Sequence, residues 1–242
     1  MDRQQELQEG FNKYYSNIFP EEGKPFDFVS SVSAATEKAK DCIRKGNGIK
    51  AKNNVIASEY YCLASFVCLE YMLENGMVAP LFDKGNEAAK RALAILPEDY
   101  EYQIFTLLYR IVSINVDKDG AESAFEQLQQ IHRECPPFHI VSNALFKPEW
   151  LEDVYNHLFE KNLQEVCFHL DDNERLQEEA FVLLKSFPEA LSKLMAFYGL
   201  AGTYLSQGKN DEALRNAKLG VEVLGNNVEY DYHCPLPPNS EQ

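Results

Sequence analysis

The sequence predicts an all-α protein organised as an array of helix pairs, and three observations carry that reading. Four stretches set small or apolar residues zero, four and seven positions apart: Gly85, Ala89, Ala92; Ala121, Phe125, Leu128; Leu176, Ala180, Leu183; and Ala213, Ala217, Gly220. Their first members stand 36, 55 and 37 residues apart. A recurrence near ~34 residues marks repeats in which each helix pair buries its apolar stripe by stacking on the next. Finally, the long segments between breaks are rich in Ala, Leu, Glu, Lys and Gln, with no convincing run alternating at period two.

Taken in order, helices are predicted over 2–16, 27–45, 50–75, 81–95, 98–115, 120–134, 149–169, 172–186, 189–206 and 210–224. The punctuation supports these spans. FPEEGKP breaks the chain at Phe19–Pro25, and GNG is read as a break at Gly46–Gly48. Pro97 and Pro188 sit where one helix cannot continue and another can start. Asp119 and Asp211 fall near helix starts, where a carboxylate complements unpaired backbone N–H groups.

The helix preceding each signature is also patterned. Phe197, Leu200, Ala201 and Tyr204 precede Gly208, and the same offsets one repeat pair earlier hold Phe105, Leu108, Tyr109 and Val112. With these residues in view, FYGLAGTYLSQGKNDEALRNAKLGVEVLG, 197–225, resembles a tetratricopeptide repeat. Phe197, Leu200–Ala201, Tyr204, Gly208, Ala213, Ala217 and Gly220 match the family's pattern. The proline that closes a repeat is replaced by Gly225 there, but is present as Pro97 and Pro188 in two others. The match is partial over 101–134, weak over 64–97 and 155–188, and undetected over 1–50. The resemblance implies a right-handed α-α superhelix, a solenoid of helical hairpins over 51–225, with an N-terminal helical extension over 1–50. The competing architecture is an antiparallel helical bundle, in which Ala and Gly at helical spacing need no repeat.

The 55-residue spacing holds an insertion of about 20 residues relative to its neighbours, around 134–150. Pro136–Pro137 stop one helix and Pro148 starts the next, while Phe138, Ile140, Val141, Leu145, Phe146 and Trp150 are too apolar for a solvated loop. The insertion is expected to pack down on the array or on a partner. The Pro-containing acidic tail 226–242 is read as a flexible end, with polyproline recognition as the alternative.

Net charge of −15 and pI near 4.8 argue against nucleic acid and against anionic membrane surfaces, and favour a basic protein or peptide if charge guides the partner. No apolar run approaches the ~18 residues a membrane helix needs. The N-terminal MDRQQELQEGFNKYY reads as an amphipathic helix rather than a secretory leader. Together these place the expected site of action in the cytoplasm. Six cysteines without a C-x-x-C pair are expected as reduced, buried thiols, a disulfide set being the alternative.

Three small His and Cys clusters are the candidates for chemistry: His132, Cys135 and His139; Cys167 and His169; and His233 and Cys234. Their spacing fits no zinc signature, and no nucleophile elbow, phosphate loop or H-E-x-x-H is present. No catalytic residue, metal or cofactor is therefore expected. The resemblance implies a non-catalytic scaffold or adaptor that binds a protein or peptide on a concave face lined by the first helix of each pair. Carried onto this chain, that face is expected at Tyr109, Arg110 and Ser113 and at Tyr198, Gly202 and Thr203. The alternative is an all-α enzyme or small-ligand binder using His132, Cys135 or His139. A monomer or weak self-association is expected, because the apolar end of a solenoid needs a cap.

Overall fold

A computed structural model describes residues 31–117, 119–141, 145–146, 148–170 and 173–226. Among these there are nine α-helices, one short 3-10 turn and no strand. The helices are α1 (Val32–Ile49), α2 (Asn54–Asn75), α3 (Ala79–Ile95), α4 (Tyr100–Val112), α5 (Ala121–Glu134), α6 (Pro148–His169), α7 (Glu174–Leu184), α8 (Ala190–Ser206) and α9 (Asn210–Asn226). The 3-10 turn is Phe138–Ile140. Among the described residues no helix is long and apolar enough to cross a membrane. The predicted helix 2–16 and the tail from 227 on lie outside the described residues.

Local chemistry sets many of the helix starts. Ser31, Asn53, Asp99 and Asn173 each accept the backbone N–H three residues on, at 3.1–3.2 Å, which satisfies one of the donors a helix leaves open at its N-terminus. Pro80 and Pro148 occupy first-turn positions, where a missing N–H costs nothing. The α8–α9 connection turns at Gly208, whose φ of 73° lies in the left-handed region. There the N–H of Lys209 bonds to Tyr204 O at 2.8 Å and that of Gly208 to Leu205 O at 3.1 Å.

The described residues fall into two compact units: those up to Ser113 with Arg133–Val154, and Ile114–His132 with those from Tyr155 on. The predicted domain edges stand elsewhere, at 50–51 and 225–226.

In the first unit α1 packs on α2 and α3, α2 on α3 and α4, and α3 on α4. Helix α2 is apolar around its circumference, and most of it from Ile56 to Met72 is interior. Two glycines let its neighbours close in. A Cβ on Gly46 would stand 2.9 Å from the Tyr61 ring, and one on Gly85 1.9 Å from the Tyr109 hydroxyl and 2.7 Å from Cys68 Cβ. The expected break at Gly46–Gly48 is thus corrected: α1 runs through it to Ile49, because Gly46 serves the approach of Tyr61. The Tyr61 hydroxyl donates to Asn47 Oδ1 at 2.6 Å.

The described residues of the 134–150 insertion belong to this unit. Val141 and Phe146 are buried. The Phe146 ring lies 4.8 Å from Phe66, 5.1 Å from Phe105 and 5.4 Å from Trp150.

In the second unit α8 packs on α9 and on α7. The ring of Phe181 lies over Gly199, where a Cβ would stand 2.2 Å from it. Phe187 stacks on Phe159 at 5.0 Å, and Tyr155 on Phe159 at 5.4 Å. Three of the four repeated signatures put buried residues at their key positions: Gly85, Ala89, Ala92; Ala121, Phe125, Leu128; and Ala213 with Gly220. In the third, Ala180 is buried while Leu176 and Leu183 are half-buried.

Candidate functional site

The six residues expected to line a binding face divide by burial. Tyr109 is fully interior, its hydroxyl donating to Ser65 O at 2.7 Å across the space above Gly85. Thr203 is also buried, and its hydroxyl bonds to Gly199 O at 3.0 Å and Gln177 Oε1 at 3.4 Å. Neither can line a face; both tie one helix to another or to its own preceding turn. Arg110 is half-exposed and ion-paired with Glu134, and exposed Ser113 donates to Arg110 O at 2.7 Å. These two belong to the end of α4.

Tyr198 and Gly202 do face solvent, and they have company. Leu191, Tyr198 and Leu205 are 46%, 46% and 63% exposed. With half-buried Met195 and Gly202 they form a run at spacings of four and three along one side of α8. A Cβ on Gly202 would meet nothing within 4 Å, so the centre of this side is open. Leu214 and Val221 of α9, seven residues apart on one side of that helix, are more than half exposed as well.

The sequence of α8 explains why this is unusual. Lys193 is the sole charged residue in the 17 residues from Ala190 to Ser206. A helix apolar around its whole circumference belongs in an interior, as α2 is. Helix α8 buries Ser192, Ala196, Leu200 and Thr203 within its unit, and among the described residues its other side is exposed. Its rim is fixed by polar contacts: the Tyr204 hydroxyl to Glu178 Oε1 at 3.0 Å, and Ser206 Oγ to Glu174 Oε1 at 3.3 Å. Sequence reasoning missed Leu191, Leu205, Leu214 and Val221, although the shortage of charge in α8 was the signal for two of them.

The chemistry-bearing residues take other places. The His132 ring lies in the second unit against Phe159 and Phe187, at 5.5 and 5.9 Å, with Tyr155 Oη 3.4 Å from Nδ1. Partial burial holds its pKa below the usual imidazole value. In the first unit the Cys135 thiol is 3.7 Å from Pro136 O, and His139 is exposed on the 3-10 turn. Cys167 is buried and His169 half-buried, while His233 and Cys234 lie outside the described residues. Cys42, Cys62, Cys68, Cys135 and Cys167 form no disulfide with one another. Burial pushes the thiols of Cys68 and Cys167 up to about 12, far from a nucleophile's range. Among the described residues no group of three or more His, Cys, Asp or Glu is placed to hold a metal ion.

Two carboxyls are interior. Glu101 of α4 accepts the N–H groups of Phe146 at 2.8 Å and Leu145 at 3.1 Å. Glu160 of α6 accepts the Ser192 hydroxyl at 3.2 Å, and Ser192 also lies 3.3 Å from Glu189. Each carboxyl group holds backbone or side-chain donors in place.

Compared with protein-family models, curated proteins and solved structures, the chain matches none of them.

Proposed function

We propose that this chain is a non-catalytic interaction module of the tetratricopeptide type, binding a protein or peptide segment against the apolar side of α8. The single observation that carries the reading is a 17-residue helix with one charge that presents Leu191, Tyr198 and Leu205 to solvent. Removing such a surface from water contributes about 25 cal/mol per Å², so an uncovered apolar run of this kind favours association. The stacking of helices on their next and next-but-one neighbours in α1–α4 supports a hairpin array, as does the glycine-turned α8–α9 pair. In this reading Tyr198 and Gly202 remain contact residues, Leu191 and Leu205 join them, and Tyr109 and Thr203 serve the scaffold. The net charge of −15 favours a partner with basic residues flanking its apolar ones.

The test compares capture of partners from native lysate by the intact chain, by Leu205→Asp and Tyr198→Ala variants of matched helicity, and by the chain lacking 227–242. A stoichiometric protein retained by the intact chain and lost by both α8 variants is the expected result. Retention that is indifferent to both substitutions would remove α8 from the function.

A further inference from the structure

We infer that the outer side of α1 is a docking surface for an acidic protein segment, read by charge and separate from the apolar side of α8.

The sequence concentrates its cations here. Residues 38–52 hold Lys38, Lys40, Arg44, Lys45, Lys50 and Lys52 against a single acid, Asp41, while the rest of the chain holds 17 bases and 37 acids. Helix α1 seats Ala35, Ala39, Cys42, Gly46 and Ile49 in the first unit, at spacings of four and three. That stripe takes up one side of the helix, and all six cations are exposed on the remainder and on the turn after it. Local acids do not neutralise them. Glu37 pairs with Lys40 at 2.7 Å, and Asp41 with both Arg44 at 2.5 Å and Lys45 at 2.7 Å. Lys38, Lys50 and Lys52 have no ion-pair partner among the described residues.

Screening makes the local sign the one a partner meets. At physiological salt a charge is felt over about 8 Å, and successive turns of a helix rise ~5 Å. These cations therefore reinforce one another while distant acids fade. An acidic segment is attracted to α1 and repelled by an otherwise acidic chain, so the same charges that favour this place discourage others. About eight extended residues, at ~3.3 Å each, match the ~27 Å length of α1. A nucleic acid fits less well, because the exposed residues of 31–53 include no aromatic for base stacking and the one arginine is held by Asp41. For a membrane surface, the same stretch exposes no apolar side chain larger than Val32.

The test titrates fluorescein-labelled decaglutamate with the full chain, and labelled decauridylate and phosphatidylserine vesicles alongside. Saturable binding of the peptide is expected at about 50 mM salt, weakened about tenfold or more at about 300 mM. Combined Lys38→Glu, Lys50→Glu and Lys52→Glu should weaken it about tenfold at unchanged helicity, while the matching Lys→Arg changes should retain it. Leu205→Asp should leave it unaltered, so this surface and the α8 reading stand or fall separately. No saturable binding, as when another part of the chain covers these lysines, overturns the proposal. So does equal binding by the Glu and Arg variants, or tighter binding of the oligonucleotide or the vesicles. Salt-sensitive self-association in sedimentation without peptide binding also overturns it, in favour of a second copy.

Discussion

The hydroxyl of Tyr109 occupies the space that a side chain on Gly85 would fill: a Cβ built there stands 1.9 Å from the oxygen. Through that gap α4 reaches across α3 and bonds to the Ser65 carbonyl of α2. One glycine therefore sets the spacing of three helices.

Gly85→Ala is expected to destabilise the protein by about 3 kcal/mol, because the new methyl group meets both the Tyr109 ring and Cys68 Cβ, and interiors resist overpacking. Tyr109→Phe alone should cost about 1 kcal/mol for the lost hydrogen bond. In the double variant the missing oxygen relieves the closest contact, so the two effects should sum to less than their parts. Urea unfolding of the four proteins gives the coupling; strict additivity would show that the gap is not shared.

Two glycines of the α8–α9 pair should respond in opposite directions. Gly202→Ala, in mid-helix with open space around it, is expected to stabilise by about 0.5–1 kcal/mol. Gly208→Ala, at a φ of 73°, is expected to destabilise by about 1–2 kcal/mol. Thermal unfolding separates them. If α8 is the binding side, Gly202→Ala should also weaken partner capture while raising Tm, a combination that a purely structural position would not give.

Glu160 links stability to pH. Burial, then the neighbouring Glu189 carboxyl, push it up to about 7 from the ordinary 4.5. The folded protein thus binds a proton that the unfolded chain releases above 4.5. The stability this contributes is full below pH 4.5 and is lost as pH rises through about 7. Glu160→Gln should flatten this part of the profile and exceed the wild type at pH 8 by about 1–3 kcal/mol. Urea midpoints measured at pH 5 and pH 8 give the comparison; equal pH slopes for the two proteins would refute it.

The thiols should divide by accessibility. In a Cys234→Ser variant, Cys135, half-buried beside Pro136, is expected to react with a disulfide reagent under native conditions. Cys42, Cys62, Cys68 and Cys167, all buried, should react only as the protein unfolds. Counting fast and slow thiols before and after denaturant checks this, and two or more fast thiols would contradict it.

The helix pattern was legible because it rests on local signals. Apolar periodicity, prolines at 97, 148 and 188 and the turn glycine at 208 placed the described helices within a few residues. The GNG segment misled because glycine has two physical uses, ending a helix and admitting a neighbour, and only the neighbour, Tyr61, reveals which applies. The tetratricopeptide resemblance put Tyr109 on the binding face because it carries over which helix lines that face, not which residues of the helix are covered. The carboxyl clamp on Leu145 and Phe146 joins positions 44 and 45 apart and leaves no local trace. The exposed α8 run was half legible: Tyr198 and Gly202 were chosen, while Leu191 and Leu205 look like core residues until the covering helix is found missing from the described fold.

The last turn of α1 has a bearing on the order in which the chain acquires structure. Gly46, Asn47 and Gly48 are poor helix formers in succession, so this turn has little tendency to form by itself. What fixes it is the Tyr61 ring over Gly46 and the Tyr61 hydroxyl on Asn47. The helix therefore finishes forming only when α2 arrives, and the Lys50 amide, bonded to Gly46 O at 2.9 Å, becomes a reporter of docking between two segments rather than of fraying at the end of one.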